Sequence, residues 1–289
     1  MEKSSNYYLK TFICLLWLIC FISCQQNPII YKKEYTPEEK LALYETLMNA
    51  SGTNIYYQGS VAERMLIHEG LAFNPSGATG QRELGVPYLK RGFASKANDY
   101  YTKAVEEDPQ EWLGYKAYCW LYFYRDYKTV LEEVDRYDAY TPDFVDYPQS
   151  TSVNFMRGVS YLQLGDYDNA ITYLDMHLNF EAENTGYDYV EYVNYVVLGQ
   201  AYQQKGLHEK ADSIYSLGLL HHSKASELHF HKAQNLKLMG KENEAKSSLD
   251  LAQNYYTEGY TNTRPYVEEF YAIYQEDLDG LKNSLMHKD

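Results

Sequence analysis

The sequence predicts an all-α fold in which helix hairpins stack into a solenoid. Within residues 153–178, apolar and small side chains recur at helical spacing on both sides of Gly165. Glycine suits the end of a helix because it tolerates positive φ, and Asp166 can cap the helix that follows. This stretch therefore predicts two antiparallel helices joined by a tight turn, and no strand pattern interrupts residues 36–287. Because one hairpin cannot bury its apolar face alone, further copies are expected.

Copies of the hairpin occur on both sides of this stretch, beginning near residues 85, 112, 198 and 232. Each aligns a small residue and a larger one in the first helix with a turn residue and, in most copies, an alanine in the second. In the copy that begins near residue 198 these positions are Gly199, Tyr202, Gly206 and Ala211. The copy that begins near residue 112 keeps Asp126 and Tyr127 but carries Arg125 where the other copies have the turn glycine.

This pattern resembles the tetratricopeptide repeat (TPR), over roughly residues 82–255. The resemblance implies a right-handed superhelix in which the first helix of each hairpin lines a concave groove. It also implies a protein that binds other proteins.

The elements that flank the copies complete one domain over residues 36–287. Thr36 with Glu39 and Ser60 with Glu63 predict capping boxes for the two helices of a starter hairpin. Residues 74–81 are interpreted as a loop, and Pro87 predicts a helix that starts late, with the proline near its first position. At the other end, a capping helix is predicted to open at Pro265 and to run to residue 287.

Residues 1–24 predict an export signal. A short apolar run follows Lys3 and Lys10 and ends Phe21-Ile22-Ser23-Cys24, which resembles a bacterial lipobox. The resemblance implies lipid on Cys24, a tether over residues 25–35, and a TPR lipoprotein of a Bacteroidota-like cell envelope. The absence of an aspartate or an acidic cluster after Cys24 favours the periplasmic face of the outer membrane. The alternative is a plain secretion signal cut near Ser23.

The net charge of −14 leaves no basic stripe for nucleic acid. It would also repel an anionic bilayer, so membrane attachment should depend on the lipid. Cys119 stands among aromatic residues and is interpreted as a buried small side chain.

Catalytic and metal-binding patterns are absent from the sequence. His221, His222, His229 and His231 lie close together in the chain, but their spacing does not match that of a zinc site. The sequence therefore predicts neither an enzyme nor a cofactor.

Aromatic and amide side chains are the candidate partner-binding groups. Fitting the repeat template places on the groove the residues Trp112, Tyr115, Tyr122, Phe155, Gln200, Gln203 and Gln204. Aromatic rings beside amides can hold a peptide by stacking and by hydrogen bonds to its backbone. The alternative is that the aromatic residues belong to the core, because a helix that is apolar all round is usually buried.

These observations predict an envelope-anchored scaffold that binds a peptide or a partner helix in its groove. Two alternatives stay open at this stage. One is a glycan-binding accessory protein that uses exposed aromatic rings, and the other is an immunity or inhibitor protein for a basic partner.

Overall fold

The computed structural model describes residues 34–52 and 55–286 of the chain. These residues form thirteen α-helices and contain no β-strand, apart from one isolated bridge between Arg264 and Val267. The predicted signal with Cys24, and the tether as far as residue 33, lie outside the described residues. None of the described helices is long and apolar enough to cross a bilayer.

The helices follow one another with short connections over most of the chain. Their bounds are α1 Pro37–Ser51, α2 Val61–Phe73, α3 Ala78–Lys90, α4 Ala94–Glu107, α5 Pro109–Cys119, α6 Tyr127–Asp138, α7 Val153–Gln163, α8 Tyr167–Thr185, α9 Tyr192–Gln204, α10 His208–His221, α11 Ser226–Leu238, α12 Glu242–Thr257 and α13 Gln275–Met286. A π-helical turn, Trp120–Tyr124, extends α5. Consecutive helices pair as hairpins from α1 to α12, and α13 packs on the last hairpin. The predicted helix-hairpin solenoid is thus confirmed.

The turn between the two helices of a hairpin needs a left-handed residue. Gly92, Gly165, Gly206 and Gly240 occupy this position with φ between +73° and +81°. Arg125 takes the same position after α5 with φ +55°, although a side chain is disfavoured there. Arg125 thus stands in place of the turn glycine, and the backbone of the turn keeps its left-handed conformation.

Small residues set the distance between the helices of a hairpin. A Cβ atom added at Gly199 would lie 2.2 Å from the ring of Tyr215, and one at Gly85 would lie 2.5 Å from the ring of Tyr101. In each pair the glycine lies on the first helix and the tyrosine on the second, and both tyrosines are buried. The aromatic ring thus packs directly on backbone, which holds the two helices close together.

Capping begins the solenoid largely as the sequence predicts. Thr36 Oγ1 accepts a hydrogen bond from the amide of Glu39, and the Thr36 amide donates to the Glu39 carboxylate. Ser60 caps α2 in the same way, but the Glu63 carboxylate accepts from the amide of Gly59 and not from that of Ser60.

Two predictions about proline are wrong. Helix α3 begins at Ala78 and includes Pro87, because burial of Leu84 and Leu89 on either side outweighs the hydrogen bond that proline removes. The loop predicted to reach residue 81 therefore ends before Ala78. Pro265 opens no helix, since the chain stays non-helical until α13 begins at Gln275.

The core of the described residues has three parts. The N-terminal part joins Leu89 and Tyr101 of the second hairpin to Leu113 and Cys119 of α5. The main part runs from α5 to α11 and includes Phe270 from the non-helical segment. The C-terminal part joins Phe230 and Leu249 of the last hairpin to Leu278 and Leu281 of α13. Helix α13 thus caps the solenoid, as the sequence predicts, with a core cluster that does not include Phe270.

We expect Gly199→Ala to lower the free energy of unfolding by about 1–3 kcal/mol, because the new methyl group overlaps the Tyr215 ring. Gly280→Ala is the matched control, since Gly280 is exposed on α13 and a Cβ atom added there would meet no neighbouring element within 4 Å. It should stabilise the protein by up to about 1 kcal/mol through helix propensity. Urea unfolding of both variants measures the difference, and equal effects would contradict the close-packing account.

Candidate functional site on the concave face

The first helices of successive hairpins form the inner face of the solenoid. Helices α7, α9 and α11 contact one another side by side, while their second helices pack outside them. In the TPR geometry this inner surface is the concave face, where the sequence analysis places the partner-binding residues.

A segment of the chain itself lies on this face. Residues 258–274, which we call the strap, leave the end of α12, cross the concave face and return to α13. At one end the Tyr260 carbonyl accepts hydrogen bonds from the amide and the hydroxyl of Ser226 on α11. Further along, Arg264 reaches tyrosines that precede it in the chain by more than 140 residues. The strap therefore connects the last hairpins to the third one.

Arg264 is the first anchor of the strap. Its Nη2 donates to the Tyr122 hydroxyl at 3.1 Å and its Nη1 to the Tyr118 hydroxyl at 3.4 Å. The guanidinium also stacks on the Tyr122 ring, 4.0 Å from the centroid, while its Nε donates to the buried Glu269 at 3.1 Å. Burial raises the pKa of Tyr122, so its hydroxyl stays protonated. The arginine is thus held by a ring face, two hydroxyls and one carboxylate.

Phe270 is the second anchor. Its ring centroid lies 5.2 Å from that of Tyr122 and 6.3 Å from that of Phe155, and only 4% of the residue is exposed. The guanidinium of Arg125 covers the ring at 4.2 Å and also donates to the carbonyl of Glu268. The residue that replaces the turn glycine thus holds the strap. A left-handed residue beside a π-helical turn is a form of local strain often found at functional sites.

His231 fixes the backbone of the strap from α11. Its Nε2 lies 2.9 Å from the Tyr271 carbonyl, and since a carbonyl only accepts, Nε2 must carry the proton. Its Nδ1 lies 3.1 Å from the side-chain nitrogen of Gln200, which can donate to it, and 3.1 Å from the side-chain oxygen of Gln234. Burial lowers the pKa of His231, which favours this neutral form.

A buried carboxylate completes the contacts on α11. Glu227 accepts from the amide of Asn262 at 2.8 Å and from the Tyr192 hydroxyl at 3.0 Å. Burial raises the pKa of this carboxyl, although each of these hydrogen bonds lowers it.

The predicted aromatic residues lie on this face but are covered. Arg82 stacks over Trp112 and Tyr115, at 5.1 and 4.6 Å from the ring centroids. The strap covers Tyr122 and Phe155 through its two anchors. All four aromatic residues are at most 9% exposed. Tyr122 and Phe155 both pack against Phe270, whereas Trp112 and Tyr115 lie under Arg82. Their role in binding a partner stays a prediction.

The predicted glutamines lie at a part of the face that stays open. Gln200, Gln203 and Gln204 line a cleft of about 520 Å³ beside the strap. Gln200 is buried against His231, whereas Gln204 is exposed. Lys237 and the largely exposed Leu238 line the opposite side of the cleft. This cleft therefore offers amides, the cation of Lys237, the carboxylate of Asp277 and several apolar side chains to a bound molecule.

The strap and its anchors are the part of the candidate site that was not predicted from the sequence. Arg264 and Glu269 carry no motif, and the helical spacing of Phe270 and Ile273 predicts a helix that does not form. One signal was present in the sequence, namely that Arg125 stands where the other copies have the turn glycine. The strap could not be derived from it, since the contact of Arg125 with Phe270 spans a large part of the chain.

The four clustered histidines bond to protein oxygen atoms. His222 and His229 each contact a backbone carbonyl, at 2.7 and 2.9 Å, as His231 does, and His221 contacts Asp188 at 2.6 Å. Among the residues that the structure describes, no three metal-ligating side chains lie close enough to hold an ion. Cys119 is fully buried, and burial raises its pKa to about 12, so its thiol is not a nucleophile.

Comparison with known proteins agrees with this geometry. Residues 151–175 and 193–220, which lie on α7–α8 and α9–α10, match the tetratricopeptide repeat family model. The fold is a TPR solenoid. A search of the curated proteins found no match.

Three solved structures share this solenoid. A tetratricopeptide repeat protein from Parabacteroides merdae has a TM-score of 0.62 at 16% identity, covering 84% of this chain and 86% of its own. PilW, described as a widely conserved type IV pilus biogenesis factor, has a TM-score of 0.58 at 14% identity, covering 86% of this chain and 100% of its own. PilF from Pseudomonas aeruginosa has a TM-score of 0.56 at 14% identity, covering 76% and 96%. At these identities the similarity shows the fold alone.

We expect the TPR solenoid to lose stability when the pH falls from about 7.5 to about 5.5. Burial lowers the pKa of His177, His229 and His231 below the ordinary value of about 6.5, so the unfolded chain binds more protons in this window. The raised pKa values of Glu63, Asp175 and Glu227 act with the opposite sign, because the folded chain then binds protons more readily than the unfolded chain at a pH above the ordinary carboxyl value. Urea midpoints measured across the window test this expectation.

The variant His231→Gln should show a smaller loss of stability across the same window, because one of the three histidines is removed. His68→Gln, at an exposed position on α2, is the matched control and should keep the full loss. A midpoint that does not change with pH in the unmodified protein would contradict the account.

Proposed function

We propose that this protein is a protein-interaction scaffold of the cell envelope that binds a non-helical segment of a partner on its concave face. One observation carries the proposal, namely that this face already holds a non-helical stretch of polypeptide, the strap. Side chains of the inner helices contact its backbone at Tyr260, Asn262 and Tyr271 and provide sites for two of its side chains. Repeat scaffolds use their concave faces for such binding.

The open cleft beside the strap is where the proposal places the partner. Amide side chains such as Gln203 and Gln204 can donate to a peptide carbonyl and accept from a peptide amide at the same time. Leu238 adds an apolar contact, and Tyr271 makes the cleft continuous with the strap. A partner segment in the cleft would therefore lie next to the strap, at the end of the path that the strap follows.

The anchoring part of the proposal is supported by the lipobox-like end of the export signal. Lipid on Cys24 would hold the solenoid at the outer membrane, facing the periplasm, through residues 25–35. The acidic charge of the chain supports attachment by lipid, since it opposes adsorption to an anionic surface.

A photo-crosslinking amino acid placed at Gln204 should capture one specific envelope protein in intact cells. Lys246, exposed on the outer helix α12, is the matched control position and should capture none. Gel shifts followed by mass spectrometry identify the product. Capture of the same protein from both positions, or of none from Gln204, would contradict binding on the concave face.

Cys24→Ser should remove the protein from the outer-membrane fraction, because the proposed lipid then has no attachment point. Cys119→Ser, at a buried position in the solenoid, should stay with the membrane. Fractionation and immunoblotting measure both. A Cys24→Ser protein that is still found in the outer-membrane fraction would show that lipid on Cys24 is not the anchor.

A further inference from the structure

We propose that the strap is an intramolecular substitute for the partner, and that the partner displaces it. The partner segment would then present an arginine and an aromatic residue spaced as Arg264 and Phe270 are. This inference rests on the proposed function and deepens it, because it gives the chemistry of the partner.

The length of the strap is the first argument. Gln253, one turn before the end of α12, exchanges side-chain hydrogen bonds of 3.0 and 3.1 Å with Gln275 at the start of α13. A short turn would therefore join the two helices, since most connections in compact domains have about four to six residues. The chain instead uses residues 258–274 to travel to the third hairpin and back. A long loop whose ends meet is often a functional element.

The contacts of the strap resemble those of a bound peptide. Side chains of the groove form hydrogen bonds with its backbone. Glu227 accepts from the amide of Asn262. His231 and Arg125 donate to the carbonyls of Tyr271 and Glu268, respectively. The two anchors then fill side-chain sites. Backbone contacts for affinity and pockets for specificity are the general means of peptide recognition.

The strap is strained in its bound form. Tyr266 and Tyr271 adopt φ of +70° and +54°, in the left-handed region that costs free energy for any residue with a Cβ atom. The strap must turn sharply there because both of its ends are tied to the last hairpin. A segment of another protein has no such tie, so it can place the same anchors without the strain.

Release of the strap as far as Ala272 leaves the C-terminal part of the core intact, because Ile273 is the strap residue that belongs to that part. Helix α13 is held by Leu278, Leu281 and Leu285 in the C-terminal part of the core, whereas Phe270 inserts into the main part. Gly259, with φ +84°, ends α12 at the point where the strap begins, so the cap of α12 does not depend on the anchors of the strap.

The charge around the anchor site fits a basic partner. Glu181 and Glu191 line a cavity of about 250 Å³ together with Tyr122 and Arg264. An incoming arginine would therefore meet carboxylates even without Glu269 of the strap. The net charge of −14 favours the approach of a positively charged segment.

The test uses a labelled synthetic peptide with the sequence of residues 259–273 and a full-length variant in which a short Gly-Ser linker replaces residues 261–272. Fluorescence anisotropy should show that the variant binds this peptide. A peptide carrying Arg264→Ala and Phe270→Ala should bind about tenfold or more weakly. The unmodified protein should also bind the first peptide about tenfold or more weakly than the variant does, because its own strap competes.

A variant that stays helical by circular dichroism and binds neither peptide, or both equally, would overturn the proposal. Loss of helicity in the variant would overturn it too, since the strap would then be part of the fold. Hydrogen exchange on the unmodified protein gives an independent check. The amides of Asn262 and Phe270 should exchange by local opening, insensitive to low denaturant, while amides of α9 exchange only by global unfolding. Exchange of the strap amides by global unfolding alone would contradict release.

Crosslinking from Gln204 separates the two proposals. Capture of a partner there, together with no peptide binding by the variant, would retain the scaffold and reject a partner that presents an arginine and an aromatic residue. If Gln204 captures no partner but the variant binds the peptide, the groove is accessible and the strap itself occupies it in the cell.

Discussion

The packing of an aromatic ring on a glycine backbone, where the two helices of a hairpin cross, is the contact on which the solenoid depends. At Gly199 and Gly85 the tyrosine of the second helix occupies the space that a side chain would take. The helices approach closely there, and the next hairpin can stack on the same geometry. In the hairpin of α7 and α8, Gly158 packs on Leu174 of the second helix in the same way. The array thus repeats one local arrangement, in which a large side chain of the second helix lies on a glycine of the first.

Stacking leaves the inner face of the array without a further layer of helices. Tyr122, Phe155 and His231 would all present surface to solvent if nothing else lay on that face. The strap covers them with Arg264, Phe270 and the carbonyl of Tyr271. The concave face is therefore both the candidate binding surface and a part of the core, which explains why aromatic residues that fit a groove are buried.

Local patterns in the sequence predicted what local physics determines. The hairpins, the turn glycines, the cap at Thr36 and the positions of the inner helices all follow from side chains that are a few residues apart. The strap did not follow, because its apolar residues have helical spacing while their partners lie on different elements. Phe270 packs against Tyr122 and Phe155, and Ile273 belongs to the C-terminal core. The same reason explains the covered aromatics, since Arg264 follows Tyr122 by 142 residues and no periodicity connects them.

The bonds from Arg264 to Tyr118 and Tyr122 also have a mechanical consequence. In an ordinary repeat array the overall bend is the sum of small angles between neighbours, so the array deforms like a spring. In this chain the strap joins the last hairpins to the third one across the inside of the curve. Straightening the array stretches the strap, which makes the curvature stiff. If another segment replaced the strap, and was tied to the array at only one end or at neither, the array would become easier to straighten.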